Sequence, residues 1–286
     1  MGTKGWQRIL LLIIPYFFVV GLFQLIGMLV AKAPINQYDV QKTLLQSLII
    51  LIFNAVGTIT IIFLFVKFID NEKFIQIGLT LENRFKDIFA SFIIGFLSVS
   101  GGFLILIMTK EIEIVRIVLN PQKIIISVIM FCIIALSEEI LIRGYILKNL
   151  LLSCSNFLSL VISSLIFTLM HLFNPHLNLT SLISLFLVGL MLGLLYIYTK
   201  NLWPSIFLHF SWNFFQTNFG FNVSGENSYS LIEFIFKKST LLNGGEFGFE
   251  GSILSIISEI LIICALIFYH DKIFSSFRSD KKLRGK

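Results

Sequence analysis

Eight stretches of this chain stay apolar for about the length a helix needs to cross a bilayer. They cover residues 9–31, 43–68, 88–109, 124–148, 156–173, 180–199, 203–219 and 252–270. A hydrocarbon core about 30 Å thick takes roughly 20 helical residues, and only a helix or a closed barrel satisfies its own backbone there. The pattern predicts an all-α fold, a polytopic membrane helix bundle of about eight transmembrane helices. Composition excludes a soluble globule: 56% of the 286 residues are hydrophobic and 13% are charged, too few to coat a soluble surface. No repeat, low-complexity block or linker divides residues 1–286, so a single integral membrane domain is expected. The first stretch is too long for a signal-peptide core and no small-residue cleavage site follows it, so it is expected to be retained.

The net charge of +6 sits in loops and in the tail "DKIFSSFRSDKKLRGK". There it meets anionic lipid headgroups, so the expected surroundings are a lipid bilayer and no nucleic acid. With the N-terminus inside, 14 Lys and Arg fall on the inner side and 7 on the outer, Arg143 being intramembrane. Cationic loops stay in the cytoplasm. The expected placement is the cell membrane with both termini cytoplasmic. Cys132, Cys154 and Cys264 show no CxxC spacing and are expected to be buried small hydrophobes. The stretch "EIEIVRIVLNPQK" (111–123) is expected in the interface, and the Gly- and Phe-rich connection 220–251 as partly re-entrant.

Within one span, "IIALSEEILIRGYI" (133–146) carries Glu138, Glu139 and Arg143. A charge at the centre of a membrane helix costs roughly 2.5–3.5 kcal/mol on insertion scales. Glu139 and Arg143 are spaced i, i+4 and share a face, so they are expected to pair. Glu138 then points about 100° away with no partner in its own segment. A carboxyl in apolar surroundings suits a general base or acid. His171 ends "FTLMH", with Phe167 one turn earlier on the same face. His209 and Asn213, in "HFSWN", project together from a third segment. Glutamate with two histidines, here Glu138, His171 and His209, is also the ligand set of a catalytic zinc site with one open position. Asn213 is a candidate donor to an oxyanion. The blander alternatives are a helix–helix hydrogen bond for a lone histidine, and a structural staple or transporter relay for the Glu–Arg pair. Neither explains an unpaired Glu138 together with a His–Asn face.

These motifs resemble those of the CPBP family, the CAAX proteases and bacteriocin-processing enzymes. "SEEILIRGY" is similar to its EExxxR signature, "FTLMH" to FxxxH and "LWPSIFLHFSWNF" to HxxxN. Gly189 and Gly193 in the approach "FLVGLMLGLLYIYTKNLWPSI" are also typical. The resemblance implies an intramembrane endopeptidase related to the Ras-converting CAAX endopeptidase, with its core at about 125–217. It implies that Glu138 and His171 activate the attacking water and that His209 and Asn213 hold the oxyanion. Glu139, Arg143 and Phe167 support them. Zinc-assisted and metal-free water activation both fit the resemblance. HExxH is absent, which excludes a standard zincin. Cleavage within or near the inner leaflet of a membrane-associated peptide or protein is expected, and the oligomeric state is not readable. The rival class is a non-catalytic membrane protein, a bacteriocin immunity factor or transporter, that binds through the same cluster. Glu259 has no place in the family pattern and is expected to pair with a neighbouring helix. By rise per residue His171 falls nearer the outer side than Glu138 and His209.

Overall fold

A computed structural model describes residues 4–34 and 42–284. Lys286, counted above on the side of the termini, lies outside the described residues. Eight helices account for most of the chain, which is 71% helical. They are α1 (Gly5–Val30), α2 (Leu44–Phe68), α3 (Phe85–Met108), α4 (Pro121–Leu151), α5 (Asn156–Met170), α6 (Leu179–Thr199), α7 (Trp203–Asn218) and α8 (Ile253–Arg284). α1, α2, α3, α4 and α6 are long and apolar enough to span a membrane. α1 leaves Leu10, Ile14, Phe17 and Phe18 bare along its length. Such a surface is stable only against lipid.

The helix starts follow local chemistry. Thr43 accepts from the Gln46 amide at the start of α2. Asn120 caps α4 ahead of Pro121, and Ser155 caps α5. Asn178 and Ser181 cap each other's backbone at α6, which ends at Lys200 with φ 52°. Each cap satisfies an amide that the helix itself cannot, and Pro at the first position has no amide to satisfy.

The stretch 111–123 is not a simple interfacial segment. Ile112–Ile117 forms β1, antiparallel to β2 (Ile232–Phe236), with Ile112 opposite Phe236. Its alternation of apolar and charged residues is the period of a strand, and the partner strand that fixes it lies in the distant 220–251 connection. That connection folds back over the bundle, with Phe247 and Phe249 fully buried. Cys132 and Cys264 are exposed on helix surfaces and Cys154 is half-buried, none of them disulfide-bonded. In a membrane bundle an apolar side chain is as well placed against lipid as in the core, so apolar character alone does not bury it.

Connections gather at two ends. At the end of the N-terminus, Arg8 pairs with Asp70 at 3.1 Å and Lys148 with Glu72. There Asn201 donates to the Thr80 carbonyl at 2.6 Å. At the other end lie the two-stranded sheet, the α5–α6 turn and the 220–251 connection. α5 and α7 have 15 and 16 residues, about 22 and 24 Å at 1.5 Å per residue. Both are shorter than the hydrocarbon core, so their ends fall at the depth of polar groups carried mid-helix by their neighbours.

α5 and α6 meet at the spacing of Gly189 and Gly193. A Cβ on Gly189 would sit 2.8 Å from the Ser164 Cα, whereas on Gly193 it would meet the flexible end of Leu160. Overpacking against backbone typically costs about 1–3 kcal/mol. Gly189→Ala is therefore expected to lower the melting temperature in detergent. Gly101→Ala, whose Cβ would meet nothing within 4 Å, is expected not to lower it. Equal melting of the two variants would contradict this packing.

Candidate active site

The i, i+4 pair forms as its spacing predicts. Arg143 Nη1 donates to Glu139 Oε1 at 2.7 Å, and both side chains are 0% exposed. From Ile140 to Leu147 the backbone of α4 widens into a π-helix, a form that recurs at functional sites. Arg143 Nη2 also donates to the Gly189 carbonyl at 3.2 Å, and its guanidinium lies 4.8 Å from the centre of the Phe167 ring. Glu139 Oε1 receives a second donor, His209 Nδ1, at 3.0 Å. A carboxylate accepts only, so Nδ1 carries the hydrogen and Nε2 is left to face the opposite way.

What it faces is Glu138, whose Oε2 lies 4.0 Å from His209 Nε2. Unlike its neighbour, Glu138 is 27% exposed, and it lines a cavity of about 1100 Å³. Its Oε2 has no hydrogen-bond partner among the described residues. Two adjacent glutamates thus differ in environment. Glu139 is buried and doubly bonded, and Glu138 is held at the edge of a space large enough for water and a peptide.

His171, Asn213 and Phe167 line the same cavity. α5 ends at Met170 rather than 173, and His171 is the residue that caps it. His171 and His209 line one cavity although they lie at different distances from the starts of their helices. His171 Nδ1 donates to the Phe167 carbonyl at 2.8 Å, which leaves Nε2 toward the cavity as an acceptor. The Phe167 ring lies 4.7 Å from that of His171 and 6.3 Å from that of His209, so it spaces the two imidazoles above Arg143. Asn213 follows His209 by one turn of α7 and is buried.

The structure thus brings Glu138, His171, His209 and Asn213 to one cavity and sets Glu139, Arg143 and Phe167 beneath or beside them. It does not bring three metal donors together: among the described residues no group of three His, Cys, Asp or Glu is placed to hold an ion. One nitrogen of each histidine is taken by Glu139 or the Phe167 carbonyl, which leaves one nitrogen of each, with Glu138, for water or an ion. Glu259 is fully buried and accepts from Ser184 and Ser255, each at 2.6 Å, so it ties α6 to α8 through hydroxyls and not through a cation. Two cavity residues escaped the sequence. Tyr16 reaches in from α1, bonded to Thr58 at 3.4 Å. Glu250 comes from the 220–251 connection, and its only sequence signal is a lone acid between Phe249 and Gly251.

Removing Arg143 strands Glu139 at full burial, and breaking a buried pair by losing one partner costs about 3–5 kcal/mol. Arg143→Ala is expected to lower both abundance and melting temperature. Glu139→Gln combined with Arg143→Gln should recover stability better than it recovers activity. An Arg143→Ala protein as abundant as wild type would show that the pair is not structural.

No curated protein and no solved structure matches this chain. Residues 120–215 match the family model described as type II CAAX prenyl endopeptidase, Rce1-like. That segment runs from the cap of α4 to the last turn of α7 and carries Glu138, Glu139, Arg143, Phe167, His171, His209 and Asn213. The site-bearing third of this polytopic bundle, residues 120–215, is thus similar to the Rce1-like family of type II CAAX prenyl endopeptidases.

Proposed function

We propose that the protein is an intramembrane endopeptidase in which Glu138 activates water against the carbonyl of a membrane-associated peptide or protein. The observation that carries this is the contrast on α4: Glu138 lines the cavity, 27% exposed, with a buried Oε2 that has no hydrogen-bond partner among the described residues and lies 4.0 Å from His209 Nε2, whereas Glu139 is fully buried and bonded. Water sits between Glu138 and His171, whose Nε2 accepts one of its hydrogens. Glu138 takes the other proton as the oxygen attacks the carbonyl carbon. The carbonyl oxygen becomes an oxyanion, received by the amide of Asn213 and by a hydrogen on His209 Nε2. His209 lies between two carboxylates and carries a proton on each nitrogen in this scheme. The tetrahedral carbon then collapses, the C–N bond breaks, and Glu138 passes its proton to the leaving amine. Donors already in place at a developing charge are typically worth about 10²–10³ in rate.

The scheme is written without a metal; zinc held by Glu138, His171 and His209 would instead polarise the same water. The protein stands in the cell membrane with both termini cytoplasmic, as its cationic loops favour. The cavity is lined in part by Lys42, Lys123, Asn174, Val223, Ser224 and residues 226–229, all at the end away from the N-terminus. Cytoplasmic termini and cleavage near the inner leaflet therefore do not go together. With the termini inside, the cavity opens outward.

Glu138→Gln is expected to reduce turnover by about 10²–10⁴-fold, the usual worth of a general base, with melting temperature near wild type. A purified variant within threefold of wild type on a membrane-peptide library would remove Glu138 from the mechanism. Enzyme stripped of metal, verified by elemental analysis, is expected to keep its activity. Loss on chelation that zinc alone restores would instead assign Glu138, His171 and His209 to an ion.

A further inference from the structure

The cavity holds an acid that the scheme above leaves idle. Glu250 lies in the short 3₁₀ turn Phe249–Gly251 just ahead of α8 and is 5% exposed. Its side chain lines the cavity with Glu138, His171 and His209. One oxygen, Oε2, accepts from both the backbone amide and the hydroxyl of Ser224, each at 2.9 Å. The other, Oε1, has no donor among the described residues, and no Lys, Arg or His among them forms an ion pair with this carboxylate. A second polar group on the same connection, the Ser228 hydroxyl, is also buried without a partner and lines the same space.

The surrounding charges do not neutralise Glu250. His171 and His209 act on it only through space. Lys42 and Lys123 line the cavity, and Lys123 is held over the Tyr229 ring at 5.6 Å. Burial pushes the Glu250 carboxyl above the usual carboxylate range, and the Ser224 hydrogen bonds oppose this. Oε1 is thus the oxygen left open to the cavity, and a carboxylate this deeply set gains from an arriving cation. The open side of this carboxylate faces the space into which a substrate must come.

We propose that Glu250 is a specificity-determining residue whose Oε1 receives the cationic side chain of a Lys or Arg next to the scissile bond. This rests on the peptidase reading and names its substrate class, a membrane-associated peptide with a basic residue at the cleavage site. Ser224 holds the carboxylate in place from behind, so the bond to substrate requires no rearrangement of the loop.

The test uses full-length protein in detergent and N-acetylated, C-amidated peptides that differ only in carrying Lys or norleucine beside the scissile bond. Acetylation leaves the side chain as the only cation. A charge-assisted hydrogen bond corresponds to about a ten- to hundredfold preference, and wild type is expected to show it for Lys in kcat/KM. Glu250→Gln keeps an oxygen for Ser224 and should bring the ratio close to one, and Glu250→Lys should turn it toward Glu peptides. An unchanged Lys preference in Glu250→Gln overturns the assignment. If that variant does not fold, wild type alone decides: Lys and Arg must exceed citrulline, norleucine and Glu, and equal cleavage overturns the proposal. Binding of fluorescent peptides to Glu138→Gln should show the same Lys preference without turnover. Wild type that binds with this preference but does not cleave would refute the peptidase while retaining Glu250. Cleavage without the preference would do the reverse.

Discussion

Removing Glu139 and Arg143 from water carries a desolvation penalty of several kcal/mol per ion, and only close geometry and further hydrogen bonds offset it. The 2.7 Å bond between them supplies the geometry. The further bonds come from elsewhere in the bundle, Gly189 on α6 and His209 on α7, with the Phe167 face of α5 over the guanidinium. Four helices therefore meet at one ion pair. Any displacement of them exposes a charge to hydrocarbon or removes a bond from it, so the pair fixes their relative positions. Glu138 takes its place from this arrangement, since it is one residue along α4 from a side chain that cannot move.

The same pair explains why so much of the site was legible. Spans are read from length and apolarity, and spacings of i, i+4 within a helix fix which side chains share a face. Glu139 with Arg143, Phe167 with His171 and His209 with Asn213 all follow this rule, so each pair was legible before its surroundings were. The convergence of the three pairs depends on helix packing and was carried by the resemblance to a known family. Depth was harder to read. His171 lies 15 residues from the start of its helix and His209 six from the start of its own, and rise per residue does not show that both reach one cavity.

What was missed depends on partners far apart in sequence. β1 is a strand because residues 232–236 lie beside it, and nothing within 111–123 specifies that partner. The exposure of Cys132 and Cys264 follows from which helix faces meet lipid, and apolarity does not distinguish those faces from the core. Glu250 belongs to a connection without period or repeat. It is buried, with Phe247 and Phe249, only once the connection folds back over the bundle, a tertiary event with no local signature. The π-helix after Glu139 is likewise set by what packs around it.

The 15-residue α5 bears on the membrane as well as on the site. It leaves Phe157, Leu165 and Leu169 bare along its length, and Phe173 just beyond its end is 98% exposed. A lipid-facing wall about 22 Å tall is several ångströms short of an ordinary hydrocarbon core. The bilayer meets such hydrophobic mismatch by thinning, at a fraction of a kcal/mol per ångström. Acyl chains beside α5 are thus drawn in and the headgroup layer dips toward His171. A dimple of this kind carries interfacial water toward the middle of the membrane on the flank where the cavity needs it. Lipids with short chains accommodate α5 most easily.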